Sequence, residues 1–350
     1  MSNYIEDKEL FKDSAKVIFD TRTDSEERRE WLSLRSGSIG GSEIAKIAGF
    51  SNYGSPLTVF NDKLGLSEKF KGNIHTIFGN RMEPLIREWV QEDFKKATNI
   101  ELKTFEYPFM MVHKDYEFLS ANIDGLAKLS EDYRYFENLD TGEIKYIPKD
   151  DLIGIEIKTA SEFLKKMWLG DEIPTEYYCQ CQWYMGITGL KYFLIIYLLG
   201  KEVKWKVIPR KEDDINYLFH IGINFWNNNI LTKTPPEPCG LKCETEQIVY
   251  QQSIDNDIEV NVSDSKLEKY KTVDEQIKAL EKEKEQLKQL IYLDLGDSKK
   301  GTDGAYKISR WMVKKDSLDT KLLKEKYPVT YKTILKGCTE FASLKITKCK

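Results

Sequence analysis

The chain has 350 residues, of which 41% are hydrophobic and 12% aromatic, and its net charge is −4. This length and composition support a sizeable core and exclude global disorder, and the best apolar run, residues 192–199, is too short to span a membrane. Proteins that hold nucleic acid mainly by charge are usually basic, so the net charge argues against strong passive DNA binding. It is compatible with a local basic groove and with an enzyme whose carboxylates bind metal ions. The polar first residues lack a signal-peptide core, and the expected location is the cytoplasm.

The six cysteines do not follow the spacing of a secreted disulfide framework. Cys239 and Cys243 lie four residues apart and could contribute to a metal or iron–sulfur site if Cys338 and Cys349 completed the ligands. Free, reduced thiols are the simpler interpretation, because a chain of this size does not need disulfides.

Periodicity predicts alternating helices and strands over the first 235 residues. Helices are expected at 26–34, 42–48, 56–64, 83–94, 174–188 and 213–230, with Ser42 as the N-cap of the second. Strands are expected at 118–129, 152–159, 192–199 and 203–208, with a hairpin within 133–150. These segments predict an α/β core, a mixed central sheet flanked by helices with the functional site at one sheet edge.

The predicted core comprises residues 1–235, and the residues after it form an extension. Residues 236–264 are predicted to be a linker, and 265–350 a C-terminal helical and α+β extension. A charged helix at about 266–293 shows heptad spacing that Lys284 interrupts, which favours a packed hairpin or arm over a long coiled coil. This helix could pack on the core, mediate self-association or recruit the annealing partner. Strands at 305–313 and 341–347 and a helix at 318–326 follow.

The strand at 152–159 carries the most informative pattern. Its isoleucines alternate with Gly154, Glu156 and Lys158, so that the two charged side chains share the face opposite the isoleucines. Charged residues on core strands are costly unless they are paired or bind a metal. Glu156, the preceding Asp124-Gly125, a backbone carbonyl and waters would form an oxygen-rich Mg²⁺ or Mn²⁺ site, and Lys158 could orient or deprotonate a water. A surface strand with a simple Glu–Lys pair is the plain alternative.

Asp124, Glu156 and Lys158 together resemble the PD-(D/E)XK nuclease pattern, with Ile123 in place of the proline. More specifically, residues 26–230 resemble the YqaJ-type viral recombinase family, which includes the lambda-type exonucleases. The resemblance is carried by four blocks in matching order: 31–43, 78–83 with Pro84, the Asp124-Gly125 and Glu156–Thr159 pair, and 178–188.

The resemblance implies a restriction-endonuclease-like core and a role for each matched residue. Asp124, Glu156 and the backbone carbonyl of Ile157 would hold one metal ion, and Glu83 would help to bind a second. Lys158 would position or activate the attacking water, with Gln180 in support. Arg35 and Ser42 would contact a DNA phosphate, in this family the 5′-terminal one. Gly40 and Asn122 depart from the lambda-type enzymes, which carry hydroxyl side chains there.

Each of these side chains also has a structural interpretation. Arg35 could be a surface cation and Ser42 only a helix cap. Glu83 could pair with Arg87 four residues on, and Gln180 could satisfy buried backbone. Gln182 is expected to be structural, and no role is assigned to the three histidines.

The expected function is Mg²⁺-dependent digestion of linear double-stranded DNA from the 5′ end, leaving 3′ single strands for phage-type recombination. The resemblance implies a phage- or prophage-encoded enzyme in a bacterial host, a single-strand annealing protein as partner, and a homo-oligomeric ring, with a trimer as the candidate. An endonuclease that cuts internally or at branches is one alternative. A non-catalytic DNA-binding scaffold with a vestigial site is the other.

Overall fold

A computed structural model describes residues 4–22, 27–67, 73–138, 141–160, 168, 173–250, 252, 259–314 and 319–334. The chain divides into two compact units, Met1–Gln252 and Ser253–Lys350. None of the described helices is both long and apolar enough to cross a membrane.

The first unit alternates helices and strands, as the periodicity predicts. Its helices are α1 (Glu27–Ser36), α2 (Gly41–Ile47), α3 (Pro56–Lys63), α4 (Ile74–Thr98), α5 (Thr175–Thr188), α6 (Glu212–Phe225), which continues into a π-helical turn at Trp226–Ile230, and α7 (Lys242–Tyr250). Its strands are β1 (Ala15–Asp20), β2 (Leu102–Phe105), β3 (Phe109–His113), β4 (Ser120–Ala121), β5 (Gly125–Leu129), β6 (Tyr133–Asn138), β7 (Glu143–Ile147), β8 (Ile153–Ala160), β9 (Tyr192–Leu199) and β10 (Glu202–Pro209).

A five-stranded sheet in the order β10-β9-β8-β5-β2 forms the centre of this unit. Strands β8 and β9 are parallel, whereas the other neighbours are antiparallel. Because parallel neighbours need a crossover, α5 follows β8 before the chain returns as β9. The predicted fold class, a mixed central sheet flanked by helices, is confirmed. A second sheet, β1-β3-β4, and the β6–β7 hairpin complete the unit.

The two faces of β8 meet different parts of the core. The isoleucines at 153, 155 and 157 pack in one cluster with Ile86, Val90 and Phe94 of α4. The other cluster contains Trp183 and Tyr184 of α5 together with Ile44 of α2. The predicted alternation along β8 is therefore confirmed, and it turns the side chain of Glu156 toward α5.

Residues 118–129 do not form the single strand that the sequence predicts. Strand β4 pairs with β3 in the smaller sheet, whereas β5 pairs with β2 and β8 in the central sheet. The chain changes sheets between them, at Asn122–Asp124. Local periodicity continues across this break because residues on both sides are buried, so only non-local pairing reveals it.

Two further differences concern helix ends and the segment after residue 235. Helix α4 begins at Ile74 rather than Glu83, because Asn73 Oδ1 accepts the Thr76 N–H at 2.9 Å and starts the helix before Pro84. Within the predicted linker 236–264, residues 242–250 form α7. That prediction missed Glu244, whose buried carboxylate accepts the backbone N–H groups of Cys239 and Gly240 and so secures the polar segment.

The second unit contains α8 (Asp264–Leu295), the hairpin β11 (Lys300–Thr302) and β12 (Lys307–Ser309), α9 (Thr320–Lys326) and α10 (Pro328–Ile334). Helix α8 confirms the single charged helix predicted at about 266–293, and it exposes an apolar stripe in which Lys284 lies. The preference for a packed hairpin or arm over a coiled coil stays a prediction. The strand predicted at 305–313 shortens to β12. The strand predicted at 341–347 lies outside the described residues.

Gly154 is required by close packing within the central sheet. A Cβ at this position would lie 2.2 Å from Cε2 of Phe193, which is fully buried on β9. We expect Gly154→Ala to lower the free energy of unfolding by about 1–3 kcal/mol through overpacking. Gly79→Ala in α4, where the nearest atom is 3.7 Å away, should instead stabilise by about 0.5–1 kcal/mol. Urea unfolding of both variants measures the difference; equal effects would contradict the packing argument.

Candidate active site

Glu156 and Lys158 project from the same face of β8, as predicted. Lys158 Nζ donates to Glu156 Oε1 at 2.5 Å, and Glu156 is 2% exposed. The ammonium of Lys158 also lies 5.0 Å from the ring centroid of Tyr177. Such a pair is not the surface Glu–Lys pair of the plain alternative, because the carboxylate is enclosed.

Asp124 reaches the same place from the sheet-switching segment before β5. Its Oδ2 accepts the backbone N–H of Ile157 at 2.7 Å, and its own N–H donates to the Ile155 carbonyl at 3.2 Å. Because a strand repeats every two residues, the Ile157 carbonyl projects to the side of Asp124, as the Ile155 carbonyl does. Gly125 permits this approach, since a Cβ there would lie 2.5 Å from the Phe105 carbonyl oxygen.

Glu83 approaches from α4 and is also the partner of Arg87. Arg87 Nη2 donates to Glu83 Oε1 at 2.7 Å, and Nη1 lies 3.5 Å from Glu106 Oε2. The helix-support interpretation of Glu83 therefore holds. It does not exclude a role at the site, because burial and then the nearby Asp124 charge raise the pKa of Glu83.

Gln180 connects α5 to this acidic group. Its Nε2 donates to Glu156 Oε1 at 2.7 Å and lies 3.1 Å from the Tyr184 hydroxyl. Gln180 thus contacts the catalytic candidate directly, rather than satisfying buried backbone. Gln182 does the latter: its amide bonds the Pro209 carbonyl and the Lys211 N–H, so its expected structural role is confirmed.

The electrostatics show an acidic site short of positive charge. Burial, followed by the Asp124 charge, raises the pKa of Glu156 to about 8 and that of Glu83 to about 7. Burial also raises the pKa of Asp124, although Lys158 opposes the shift. Burial would lower the pKa of Lys158, but Glu156 and Asp124 outweigh it and hold the pKa above its ordinary value. A further cation would relieve all three acids.

The donor set fits a divalent metal. Glu156 Oε2 is buried and, within the described part of the chain, has no hydrogen-bond partner. An orphaned carboxylate oxygen beside Asp124 and the Ile157 carbonyl is hard-oxygen chemistry suited to Mg²⁺ or Mn²⁺. Among the described residues, no three His, Cys, Asp or Glu side chains are grouped closely enough to hold an ion as they stand. Each acid is instead engaged by a protein donor: Lys158, the Ile157 N–H or Arg87.

The sequence predicted a site at one edge of the sheet, but the structure places the site elsewhere. Strand β8 is the middle strand, and the site forms where its pairing with β5 stops after Ile155. A polar cavity of about 320 Å³ opens beside Asp124 and Glu83, with Trp31, Asn80 and Glu106 in its lining. Chain switching at Asn122–Asp124 creates this opening beside a central strand.

Arg35 and Ser42 are brought together at the junction of α1 and α2. Arg35 Nη2 donates to Ser42 Oγ at 3.2 Å, and the guanidinium lies 5.2 Å from the Trp31 ring centroid. Ser42 is not the N-cap that the sequence predicted. Gly40 occupies that position, and its N–H donates to Glu43 Oε2 at 2.9 Å. The Ser42 hydroxyl is therefore not engaged in capping α2.

Gly41 lies between the Arg35–Ser42 pair and the side chains that contact Glu156. A Cβ at Gly41 would lie 2.5 Å from Cε1 of Tyr184 and 3.0 Å from Cγ of Gln180. The start of α2 therefore packs against Tyr184 and Gln180, and Gln180 donates a hydrogen bond to Glu156. The structure brings all the predicted side chains into one connected region.

Sequence reasoning missed several participants in this region. Glu106 follows β2 and completes the Arg87 network, Tyr184 holds Gln180, and Tyr177 faces Lys158. Lys63 pairs with Glu43 at 2.8 Å, and burial lowers its pKa. The predicted helix 174–188 contained both tyrosines, but their spacing did not indicate which faced the site. Cys179, Cys181, Cys239 and Cys243 are free of disulfide bonds among the described residues. Cys338 and Cys349, which the candidate metal or iron–sulfur site would need, lie outside the described residues.

Comparisons with known proteins bear on these observations. Residues 30–191 match the model of the YqaJ-like viral recombinase domain. The protein YqaJ of Bacillus subtilis (strain 168) is 27% identical over 319 residues, which cover 88% of this chain and 91% of YqaJ.

Two solved structures are similar to part of this chain. An alkaline exonuclease (LHK-Exo) from Laribacter hongkongensis gives a TM-score of 0.41 at 18% identity, over 57% of this chain and 91% of that one. A phage-related exonuclease from Haemophilus somnus 129PT gives 0.35 at 14% identity, over 58% and 99%.

The matched range, residues 30–191, includes every predicted site residue, from Arg35 to Gln180. The match supports a nuclease associated with recombination, which is the coarser form of the predicted function. The resemblance inferred from the four sequence blocks is confirmed: residues 30–191 match the YqaJ-like viral recombinase domain.

Proposed function

We propose that this chain is a divalent-metal-dependent exonuclease that digests linear double-stranded DNA from the 5′ end. The observation that carries the proposal is the buried group of Asp124, Glu156 and Lys158 with its orphaned oxygen, Glu156 Oε2. Asp124 of this group also lines an open polar cavity. Phosphodiester hydrolysis needs positive charge at the phosphate and an activated water, and this group is built to provide both.

Asp124, Glu156 and the Ile157 carbonyl would hold the metal, with Glu83 contributing to a second ion or to its water shell. A bound divalent cation supplies charge neutralisation at the scissile phosphate and makes water more acidic. Lys158 leaves its contact with Glu156 Oε1 and orients the attacking water. Gln180 keeps the Glu156 carboxylate fixed through its 2.7 Å bond, so that the reacting groups stay aligned.

Arg35 and Ser42 would bind the 5′-terminal phosphate. Their side chains already converge at 3.2 Å, and Gly41 places them next to Gln180 and Tyr184. A guanidinium and a hydroxyl are suitable donors to a phosphate oxygen. The product, a 3′ single strand, is what an annealing protein would receive, and a homo-oligomeric ring would retain the duplex without a basic chain.

End-labelled linear duplexes incubated with Mg²⁺ test this function. We expect release of nucleotides from the 5′ end, no cutting of covalently closed circular DNA, and no activity in chelator. Cutting of the closed circle would favour an endonuclease, and intact DNA in every condition would favour the non-catalytic scaffold.

Arg35→Ala tests the phosphate site separately. We expect about 10–100-fold slower digestion of a 5′-phosphorylated duplex, from the loss of one charged hydrogen bond, and little change with a 5′-hydroxyl end. Arg134→Ala, at an exposed arginine of β6, is the matched control. If both ends slowed equally with Arg35→Ala, Arg35 would not be reading the terminal phosphate.

A further inference from the structure

Helix α8 exposes an apolar stripe along most of its length. Tyr270, Val273, Ile277, Leu280, Leu287 and Ile291 are between 41% and 62% exposed. They are three or four residues apart, except that Leu280 and Leu287 are seven apart with Lys284 between them, so they occupy one face of the helix. A stripe of this length, rather than scattered apolar residues, indicates an interaction surface.

The stripe has the composition of a two-stranded coiled coil. In the heptad notation a to g, the a positions are 270, 277, 284 and 291, and the d positions are 273, 280, 287 and 294. Isoleucine at a, as at Ile277 and Ile291, with leucine at d, as at Leu280 and Leu287, favours parallel dimers. A single lysine at a, here Lys284, specifies register and a low oligomer number at some cost in stability.

The flanking charges are complementary to those of a second copy of the same helix. In a parallel pair, each g position lies beside the following e position of the other helix. Lys269 would then meet Asp274 of the second copy, and Glu283 would meet Lys288. The third such pair, Gln276 with Glu281, is not repulsive.

The contacts these side chains make now do not oppose such a pairing. Asp274 bonds Lys278 at 2.6 Å, and Lys288 lies 3.1 Å from Glu285, all at the exposed surface. Exposed pairs of this kind contribute little to stability. Exchanging them for contacts across an interface therefore costs little.

We infer that α8 is a self-association surface that pairs, parallel and in register, with α8 of a second copy of this chain. The inference does not rest on the proposed nuclease function. It assigns a role to the heptad pattern that the catalytic region does not use. The two-stranded pairing is distinct from the trimeric ring expected from the resemblance, because the stripe itself favours two helices.

Sedimentation velocity of the full chain at micromolar concentrations tests the surface. We expect Leu280→Glu/Leu287→Glu to halve the mass and to weaken association at least ~100-fold, because two d-position side chains are lost from the interface. The matched control is Leu293→Glu, a leucine 75% exposed but off the stripe, which should change neither. Circular dichroism checks that α8 stays helical. Equal masses for the wild type and the double variant would overturn the inference, and a three-fold fall would overturn the two-stranded pairing.

A charge exchange tests the orientation. Glu283→Lys and Lys288→Glu should each weaken association about tenfold, and the double variant should restore it because the pair is re-formed with opposite signs. An antiparallel pair sets g against g and e against e, so residues 283 and 288 would never meet. Failure of the double variant to restore association would therefore overturn the parallel arrangement.

Discussion

Replacing Lys158 by methionine is expected to reduce DNA cleavage by at least ~1000-fold while the fold is retained. Methionine keeps an unbranched apolar side chain but removes the ammonium that lies 2.5 Å from Glu156 Oε1 and 5.0 Å from the Tyr177 ring centroid. The loss of a group that orients or activates the nucleophile typically costs about 10²–10⁴-fold, and removal of a residue from a catalytic unit costs more.

The fold should survive because Glu156 has a second way to be neutral. Its pKa is raised to about 8, so near neutral pH it can bind a proton when Lys158 is absent. Lys128→Met is the matched control, since Lys128 is an exposed lysine on the neighbouring strand β5. Initial rates on a labelled duplex and thermal unfolding of each variant are the measurements. Persistent cleavage by a folded Lys158→Met protein would exclude Lys158 from the mechanism.

The sequence predicted the catalytic strand well because the decisive signal is local. The alternation along β8 follows from a period of two residues, and it placed Glu156 and Lys158 together on the correct face. Helices α3 and α5 and strand β9 were likewise predicted to within a residue or two, since strong periodicity and Gly or Pro at their ends define them.

The features that the sequence did not predict depend on distant partners. Asp124 was placed inside a continuous strand, whereas it lies where the chain changes sheets, and that change is fixed by the pairing of β4 with β3. Ser42 resembled an N-cap, but the Gly40 N–H is satisfied by Glu43 instead. Glu106 had no motif of its own, and only the fold brings it to Arg87.

The same contrast explains the position of the site. A cluster of charged residues suggests an exposed edge, because burial of charge is costly. Here the cluster lies at the end of a central strand, where the loss of pairing after Ile155 frees the backbone of Ile157 for Asp124. Burial then raises the pKa values of Asp124 and Glu156, which an edge site open to water would not do.

These raised pKa values predict a dependence of stability on pH that should reverse with metal. In the metal-free protein, Glu83 and Glu156 have pKa values of about 7 and about 8, above their ordinary value of 4.5. The folded state therefore binds protons more tightly than the unfolded state. The contribution of these two carboxyl groups to the free energy of unfolding is fully present below about pH 4.5 and is lost as the pH rises through 7 and 8.

Mg²⁺ should act in the opposite direction, because a cation binds the deprotonated carboxylates. We expect little effect of Mg²⁺ on the melting temperature at pH 5.5. At pH 8.5 the increase should be roughly 3–8 °C at saturating metal, corresponding to about 2–3 kcal/mol of binding free energy. Differential scanning fluorimetry with chelator or Mg²⁺ at each pH measures both trends without any nuclease assay.

Glu156→Gln separates this explanation from a general effect of pH. The amide keeps the shape of the side chain but neither titrates nor offers a carboxylate to a metal. The variant should lose most of the fall in stability between pH 5.5 and 8.5 and most of the gain from Mg²⁺. Glu88→Gln, at an exposed glutamate of α4, should retain both. If Glu156→Gln retained the full response to Mg²⁺, the ion would be held elsewhere, and the proposed ligand set of Asp124, Glu156 and the Ile157 carbonyl would be wrong.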